Sequence, residues 1–363
     1  MVNVMSIIVI FITAAVVSLI STPLMRKIAI KRNIMAQPGD RMVHTEPTPY
    51  LGGIAIYFAF IAALALGIYI NRDILCKSID QLNALCIAAT FIAALGLWDD
   101  IKNINPFLKL CGQIVIALFL FAFGFRAEVV TNIFMGGEFH LPLYLSSFVT
   151  IFWYVGMINA MNLIDGLDGL AAGITVIASG ALILVSSFLG NYIDILILAA
   201  LAGSALGFLK FNFYPAKIFM GDTGSMLLGL ILASVALLGS QHKAATAVAL
   251  LTPIAALAIP ISDVLIAIIR RMIRKQSIFK ADMFHVHHRM LVIGLNHKQI
   301  VLFIYLVTLY LGIFSFLFIL IPDKFALILL ILLALGLFMG MIVIRFVERK
   351  LRYLYRLEER SRR

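Results

Sequence analysis

The polar side chains most able to do chemistry lie in short segments between long apolar runs, and segment 159–168 is the richest of them. Asn162, Asp165 and Asp168 follow one another there at intervals of three residues. A helical start would place all three on one side. Polar groups at membrane depth cost free energy and usually serve function. Helix capping by Asn and Asp explains one or two of these residues but hardly the whole group.

Three further acidic residues offer the oxygen atoms that divalent cations bind. Asp99 and Asp100 end an apolar run, where the helix dipole disfavours adjacent negative charges, so that a metal ion or Lys102 must compensate. Asp222 lies within a Gly-Asp-Thr-Gly segment directly before another run. There, Asp either caps the helix or shares the helix N-terminus with a phosphate ligand.

Aromatic and histidine residues are further candidates for contacts with a ligand. Phe219, just ahead of the Gly-Asp-Thr-Gly segment, is either a stacking platform for a base or an interfacial anchor. His285, His287 and His288 lack the spacing of a zinc site. Beside Arg289, they are typical of a cluster that holds phosphate or sugar oxygens, although a solvated interfacial loop has the same composition.

The elements that must position these residues are membrane helices. Of the 363 residues, 63% are hydrophobic and 13% are charged, whereas soluble domains are roughly 45–50% apolar and about 25% charged. Runs of about 20 apolar residues can cross a bilayer, and they predict an all-α integral membrane protein with about eleven transmembrane helices. The runs lie near 4–23, 49–70, 82–98, 107–125, 143–161, 170–189, 193–211, 223–240, 245–266, 299–321 and 325–346. We expect one membrane domain over 1–346 and a basic cytoplasmic tail over 347–363 along the inner leaflet.

The basic residues predict how this domain is oriented. All but five of the 29 Lys and Arg residues lie in or beside the loops after runs one, three, five, seven and nine, or in the C-terminal tail. The positive-inside rule makes these segments cytoplasmic, with the N-terminus outside and the C-terminus inside. All of the polar segments above belong to this inner set. Because the basic residues are spread over short loops, the net charge of +11 does not indicate a nucleic-acid-binding surface.

Five motifs, in this order along the chain, resemble the polyprenyl-phosphate N-acetylhexosamine-1-phosphate transferase family: PTPYLGG, GLWDD, NAMNLIDGLDGLA, FMGDTGS and HVHH. The resemblance implies transfer of a sugar-1-phosphate from a UDP-sugar to a polyprenyl phosphate, with release of UMP and with Mg²⁺, or alternatively Mn²⁺, as cofactor. HVHH is similar to the H-x-H-H pattern of the bacterial branch that transfers N-acetylglucosamine-1-phosphate. The alternatives are the phospho-N-acetylmuramoyl-pentapeptide branch, with three consecutive histidines, and another UDP-sugar specificity.

The resemblance also implies roles for the residues at the phosphates. Asp222 and Asn162 would coordinate Mg²⁺. Asp99 would be the candidate base for the lipid phosphate, with Asp100 beside it, and Lys109 would contact phosphate. Either the lipid phosphate attacks directly, or a carboxylate attacks first and forms a covalent intermediate.

Further roles follow for the donor nucleotide and the remaining substrate contacts. Phe219 would stack on uracil and Asp168 would hydrogen-bond to it. Asp165 is expected among the catalytic residues and Asn212 among those that bind substrate. The residues expected along the sugar-phosphate and lipid-phosphate groups are His285, His287, His288, Arg289, Arg41 and His44.

The expected partners are UDP-N-acetylglucosamine, undecaprenyl phosphate and the lipid bilayer, but no nucleic acid. The expected location is the bacterial plasma membrane, with a multi-pass chain whose active site faces the cytoplasm. The product would be the first lipid-linked intermediate of a cell-envelope glycan of the teichoic acid or O-antigen type. An ion-coupled transporter is a remote alternative, because its acids should lie at the midplane of repeated halves. The sequence leaves the oligomeric state open, including a homodimer.

Overall fold

Long apolar helices make up most of the chain that the computed structural model describes, which is residues 4–36, 47–131, 138–239 and 295–320, with Met290 and scattered positions between 325 and 336. The helices in these ranges are α1 Val4–Lys31, α2 Gly52–Ile70, α3 Arg72–Leu75, α4 Ile79–Lys102, α5 Pro106–Ala122, α6 Leu143–Ile164, α7 Leu170–Leu189, α8 Tyr192–Asn212, α9 Gly221–Gly239 and α10 His297–Leu320. Two short antiparallel hairpins accompany them. Strand β1 (Met35–Ala36) pairs with β2 (Thr48–Pro49), and β3 (Val129–Thr131) pairs with β4 (Glu138–His140).

The helices confirm that the chain is a multi-pass membrane protein. Within the described ranges, eight helices are long and apolar enough to cross a bilayer, and α5 is a shorter apolar helix. Nine of the predicted runs coincide with a helix. The run at 245–266, nearly all of the run at 325–346 and the tail at 347–363 lie outside the described residues, so the number eleven and the orientation of the termini stay predictions. The two hairpins were not predicted.

Helices α8 and α9 form the centre of the bundle, where nearly all of their residues are buried. Small residues allow the backbones to approach closely, as is common between membrane helices. A Cβ atom at Gly203 or Gly207 of α8 would collide with the main chain of α1. The outward side of α1 instead carries large exposed apolar side chains such as Ile20 and Leu24, which suit contact with lipid.

One end of the bundle is held together by main-chain contacts between segments far apart in sequence. Phe219 donates its amide to the carbonyl of Pro49, and the amides of Gly52 and Gly53 donate to the carbonyls of Phe219 and Met220, each at 2.9 Å. The start of α2 is therefore fixed against the segment that leads into α9.

Two glycines bring α2 and α4 against the first turn of α9. A Cβ atom at Gly53 would lie 2.6 Å from the carbonyl oxygen of Met220, and one at Gly96 would lie 2.6 Å from the main chain of Thr223. Both distances are far shorter than van der Waals contact. Glycine at these two positions thus lets the ends of three helices meet where the acidic motifs lie.

Candidate active site

A lysine bridges two of the predicted site carboxylates. Lys109 on α5 donates to Asp99 Oδ2 at 2.9 Å and also to Asp222 Oδ2. The turn between α4 and α5 creates this arrangement. In this turn, Asn103 ends α4 in the left-handed backbone conformation. Asn105 is the N-cap of α5, and its side chain accepts the amide of Phe107 at 2.9 Å. Helix α5 therefore begins directly beside the end of α4.

Asp100 holds the first turn of α9. Its carboxylate accepts the amide of Asp222 at 2.7 Å, the amide of Thr223 at 3.1 Å and the hydroxyl of Thr223 at 2.6 Å. A helix leaves these N-terminal amides without intrahelical partners, and a carboxylate there also suits the helix dipole. Gly221 has φ +66°, and a Cβ atom on it would lie 2.5 Å from the Asp100 carboxylate, so the close approach requires glycine.

Asn162 completes the cluster around Asp222. Its Nδ2 donates to Asp222 Oδ1 at 2.8 Å and to Ser225 Oγ at 3.0 Å. Rotation of the amide by half a turn would present its oxygen to the same place, since the two ends of an amide have nearly the same shape.

The donor atoms around Asp222 fit a magnesium ion that is shared with a substrate. Mg²⁺ is usually bound by one or two carboxylates together with waters and substrate phosphates, not by an all-protein cage. Asp222 and, after rotation of its amide, Asn162 would supply two oxygen ligands, and the Lys109 ammonium pairs with Asp222 at the same place. In the parts of the chain that are described, no three Asp, Glu, His or Cys side chains cluster closely enough to hold an ion unaided.

The excess of negative charge at the site affects two neighbouring groups. Burial, together with the charges of Asp222, Asp100 and Asp168, raises the pKa of Asp165 well above its usual value. Burial and the same cluster of carboxylates raise the pKa of Tyr50 to about 12. Burial and the surrounding carboxylates thus both disfavour negative charge on these two groups.

A second group of contacts joins the 165–169 turn to the segment before α9. Asp168 Oδ2 accepts the amide of Ala216 at 2.9 Å. Asn212, only 2% exposed, accepts the amide of Gly169 and donates to the carbonyl of Ile218, both at 3.0 Å. Both ends of the Asn212 amide thus brace these two segments, and its contact with substrate stays a prediction.

Phe219 lies at the rim of this arrangement. Its main chain is fixed by the start of α2, while its side chain is half-buried and its ring centroid lies 6.1 Å from that of Tyr50. One face of the cluster is thus aromatic and the other is acidic. Such a surface suits a ligand that combines a planar base with phosphates.

Known proteins are similar to this chain over most of its length. The sequence profile described as Glycosyl transferase family 4 matches residues 82–240, which contain Asp99, Lys109, Asn162 and Asp222. A probable undecaprenyl-phosphate N-acetylglucosaminyl 1-phosphate transferase of Bacillus subtilis is 38% identical over 302 residues, which cover 83% of this chain and 82% of that protein. The chain belongs to the polyprenyl-phosphate N-acetylhexosamine-1-phosphate transferase family. It is therefore a membrane-bound phosphosugar transferase.

Two other members of the transferase family differ in the sugar that their names specify. A decaprenyl-phosphate N-acetylglucosaminephosphotransferase of Mycobacterium leprae is 38% identical over 317 residues, covering 81% of this chain and 79% of that protein. A phospho-N-acetylmuramoyl-pentapeptide-transferase of Clostridium perfringens is 33% identical over 247 residues, covering 65% of this chain and 75% of that protein.

The structure brings most of the expected transferase residues together. Asp99, Asp100, Lys109, Asn162 and Asp222 form one hydrogen-bonded network. The flanking residues are Asp165, Asp168, Asn212 and Phe219. The residues that lie outside the described ranges, and whose roles stay predictions, are Arg41, His44, His285, His287, His288 and Arg289.

Sequence reasoning missed some residues of the transferase site. Tyr50 lies inside PTPYLGG, which the resemblance used only as a motif, and its nearness to the carboxylates depends on packing that spacing does not reveal. Thr223 and Ser225 are small hydroxyl residues of the GDTGS motif, and both are hydrogen-bonded to the network. Their position on the first turn of a helix was the available signal, because that turn faces any ligand at the helix N-terminus.

Proposed function

We propose that the protein transfers N-acetylglucosamine-1-phosphate from UDP-N-acetylglucosamine to undecaprenyl phosphate and releases UMP. The observation that carries the proposal is the network in which Lys109 joins Asp99 to Asp222 while Asn162 contacts Asp222. The network lies at the ends of membrane helices, where a water-soluble nucleotide and a lipid phosphate can both reach it. The names of the Bacillus subtilis and Mycobacterium leprae relatives favour N-acetylglucosamine as the sugar.

Asp222 and Asn162 are the residues that would hold Mg²⁺, or Mn²⁺ in its place. The bound ion would neutralise the donor pyrophosphate and the departing UMP. Lys109 would donate to the phosphate oxygens and stabilise charge on the transferred group. Asp100 would keep Asp222 in place through the first turn of α9.

In the proposed reaction, an oxygen of the lipid phosphate forms a bond to the β-phosphorus of the donor. The bond between that phosphorus and its bridging oxygen breaks, and the electron pair leaves with UMP. Asp99 would accept the last proton of the lipid phosphate where one is present, since a phosphate monoester has a second pKa of about 6. Asp100, with three hydrogen bonds to α9, is poorly placed to act as a covalent nucleophile. Direct attack predicts inversion at a chiral phosphorothioate donor, whereas a covalent carboxylate intermediate predicts retention.

The proposed location of the site is the cytoplasmic face of a bacterial plasma membrane. The support is the charge pattern of the sequence, together with the basic residues Arg26, Lys27, Lys31 and Arg32 at the end of α1. The main chain that follows this end of α1 pairs with β2, next to the start of α2. The lipid-linked product would begin a cell-envelope glycan, for example teichoic acid or O-antigen.

The test is UMP release by the purified protein in detergent with undecaprenyl phosphate and Mg²⁺. The donor panel is UDP-N-acetylglucosamine, UDP-N-acetylgalactosamine and UDP-N-acetylmuramoyl-pentapeptide. We expect UMP chiefly from UDP-N-acetylglucosamine, and no UMP after chelation of divalent ions. Release chiefly from the muramoyl-pentapeptide donor would move the protein to the alternative branch, and no release from any donor would refute the proposed function.

A further inference from the structure

Helix α10 begins at a fixed position next to the Asp168 turn. Asn296 Oδ1 accepts the amide of Gln299, and Gln299 Oε1 accepts the amide of Asn296, both at 2.9 Å. This reciprocal pair is a capping box, which satisfies two amides at the start of a helix and fixes the entry of the chain. His297 is the first residue of the helix, so its backbone position is well defined.

The imidazole of His297 is buried, with polar atoms that the fold itself leaves unused. The side chain is 7% exposed and its ring stacks on Tyr214, with centroids 4.6 Å apart and an interplanar angle of 24°. Among the described residues, neither ring nitrogen has a hydrogen-bond partner of standard geometry. Its polar neighbour is Asp168, whose main chain and negative charge both act on the ring. An apolar ring would fill the same space without the cost of burying two polar nitrogens.

A second contact ties the same helix to the same turn. Tyr305, eight residues after His297, donates its hydroxyl to the carbonyl of Gly169 and packs against Gly173. Helix α10 therefore contacts the turn through both residues. Tyr214, under the His297 ring, belongs to the segment whose Ala216 amide donates to Asp168.

We propose that His297 is a positioning residue of the donor-nucleotide site, which holds the Asp168 carboxylate and the Tyr214 segment in the arrangement that binds the uracil base. This inference rests on the proposed function, in which Asp168 hydrogen-bonds to the base. The capping box fixes the helix, the helix fixes the imidazole, and the imidazole contacts the two segments that form the base pocket. The polar nitrogens of His297 supply what stacking alone would not: a hydrogen-bonding group that faces Asp168.

The test compares His297→Phe with His140→Phe, an identical change at an exposed residue of β4. Phenylalanine keeps the stacking on Tyr214 and removes the nitrogens. We expect KM for the UDP-sugar to rise about tenfold in His297→Phe, because the variant no longer offers a polar group to the Asp168 turn, with kcat and the KM for the lipid phosphate unchanged. His140→Phe should match the wild type in all three constants.

A double-mutant comparison decides whether His297 acts through Asp168. In an Asp168→Asn background, the added His297→Phe change should leave donor affinity, measured by calorimetry with UDP-N-acetylglucosamine, as it is. An unchanged donor KM in His297→Phe, or an equal loss of affinity in both backgrounds, would overturn the proposal.

If the Phe variant does not fold, His297→Gln is the variant to measure. A donor KM near that of the wild type supports the proposal, and a tenfold rise overturns it. Wild-type protein without UMP release would instead refute the proposed function, so the two failures are distinguishable.

Discussion

At the scale of single residues, two adjacent carboxylates have different tasks. Asp99 pairs with Lys109 and accepts the amide of Ile104, while Asp100 makes all three of its hydrogen bonds to the start of α9. The sequence Asp-Asp does not distinguish the two, because both side chains follow the same apolar run. The fold separates them by about 100° around the helix axis, so that one faces the lysine and the other faces α9.

The two residues should therefore respond differently to the same substitution. Asp100→Asn would place the NH₂ group of the new side chain against a main-chain amide or the Thr223 hydroxyl of α9. Because a buried donor then loses its acceptor, we expect the free energy of unfolding to fall by roughly 1–3 kcal/mol. Asp99→Asn keeps an oxygen for Ile104 and leaves Lys109 paired with Asp222, so turnover should fall with a smaller loss of stability. Thermal unfolding and UMP release of both variants in the same detergent provide the measurement. Equal losses of stability would contradict the separate roles.

At the scale of elements, the site depends on how closely α2 and α4 approach α9. Each glycine at these crossings lies between two helices that are far apart in sequence. Apolar periodicity describes one helix at a time, so it could not predict these contacts. Gly53 lies against the main chain of Met220 and Gly224. Any side chain there would push the first turn of α9, and with it Asp222, away from Lys109 and Asn162.

Gly53→Ala tests this dependence on helix contact. A methyl group would overlap the α9 main chain, and overpacking of this kind costs typically about 1–3 kcal/mol. We expect lower thermal stability and a strong loss of kcat, because the Asp222 carboxylate would move. Gly180→Ala on α7 is the matched control, since nothing lies within 4 Å of the added methyl group. The control should be neutral or should stabilise the fold by up to about 1 kcal/mol, because alanine favours the helix. A normal kcat in Gly53→Ala would contradict the idea that this contact positions Asp222.

At the scale of the whole molecule, some features follow from the sequence because the bilayer fixes them. The length of hydrocarbon to be crossed sets the length of each apolar run, so nine helices could be located, and alternate loops must lie on the same side. That alternation places Asp99, Asn162 and Asp222 at one end of the bundle. By contrast, the bracing by Asn212, the approach of Tyr50 and the hairpins depend on contacts between distant segments, about which neither hydropathy nor spacing is informative.

The charge balance of the whole site leads to a prediction for pH and stability. The folded protein raises the pKa of Asp165 through burial and the surrounding carboxylates, whereas an unfolded chain has an Asp pKa of about 3.9. Over the pH range between the two values the folded state holds the proton that the unfolded state has lost, so the free energy of unfolding falls as pH rises. Asp165→Asn removes this dependence.

We therefore expect Asp165→Asn, in chelator and detergent, to unfold at a higher temperature than the wild type near neutral pH and to lose turnover. The difference in unfolding temperature should shrink as the pH falls below about 3.9, where the carboxyl group becomes protonated in the unfolded state as well. This acidic measurement is the internal control. A variant less stable than the wild type at neutral pH would contradict the idea that the Asp165 carboxylate destabilises the fold through repulsion. In the expected case, the cation of the proposed reaction would explain why the protein keeps a destabilising carboxylate. The fold tolerates this local repulsion because α8 and α9 are buried at the centre of the bundle.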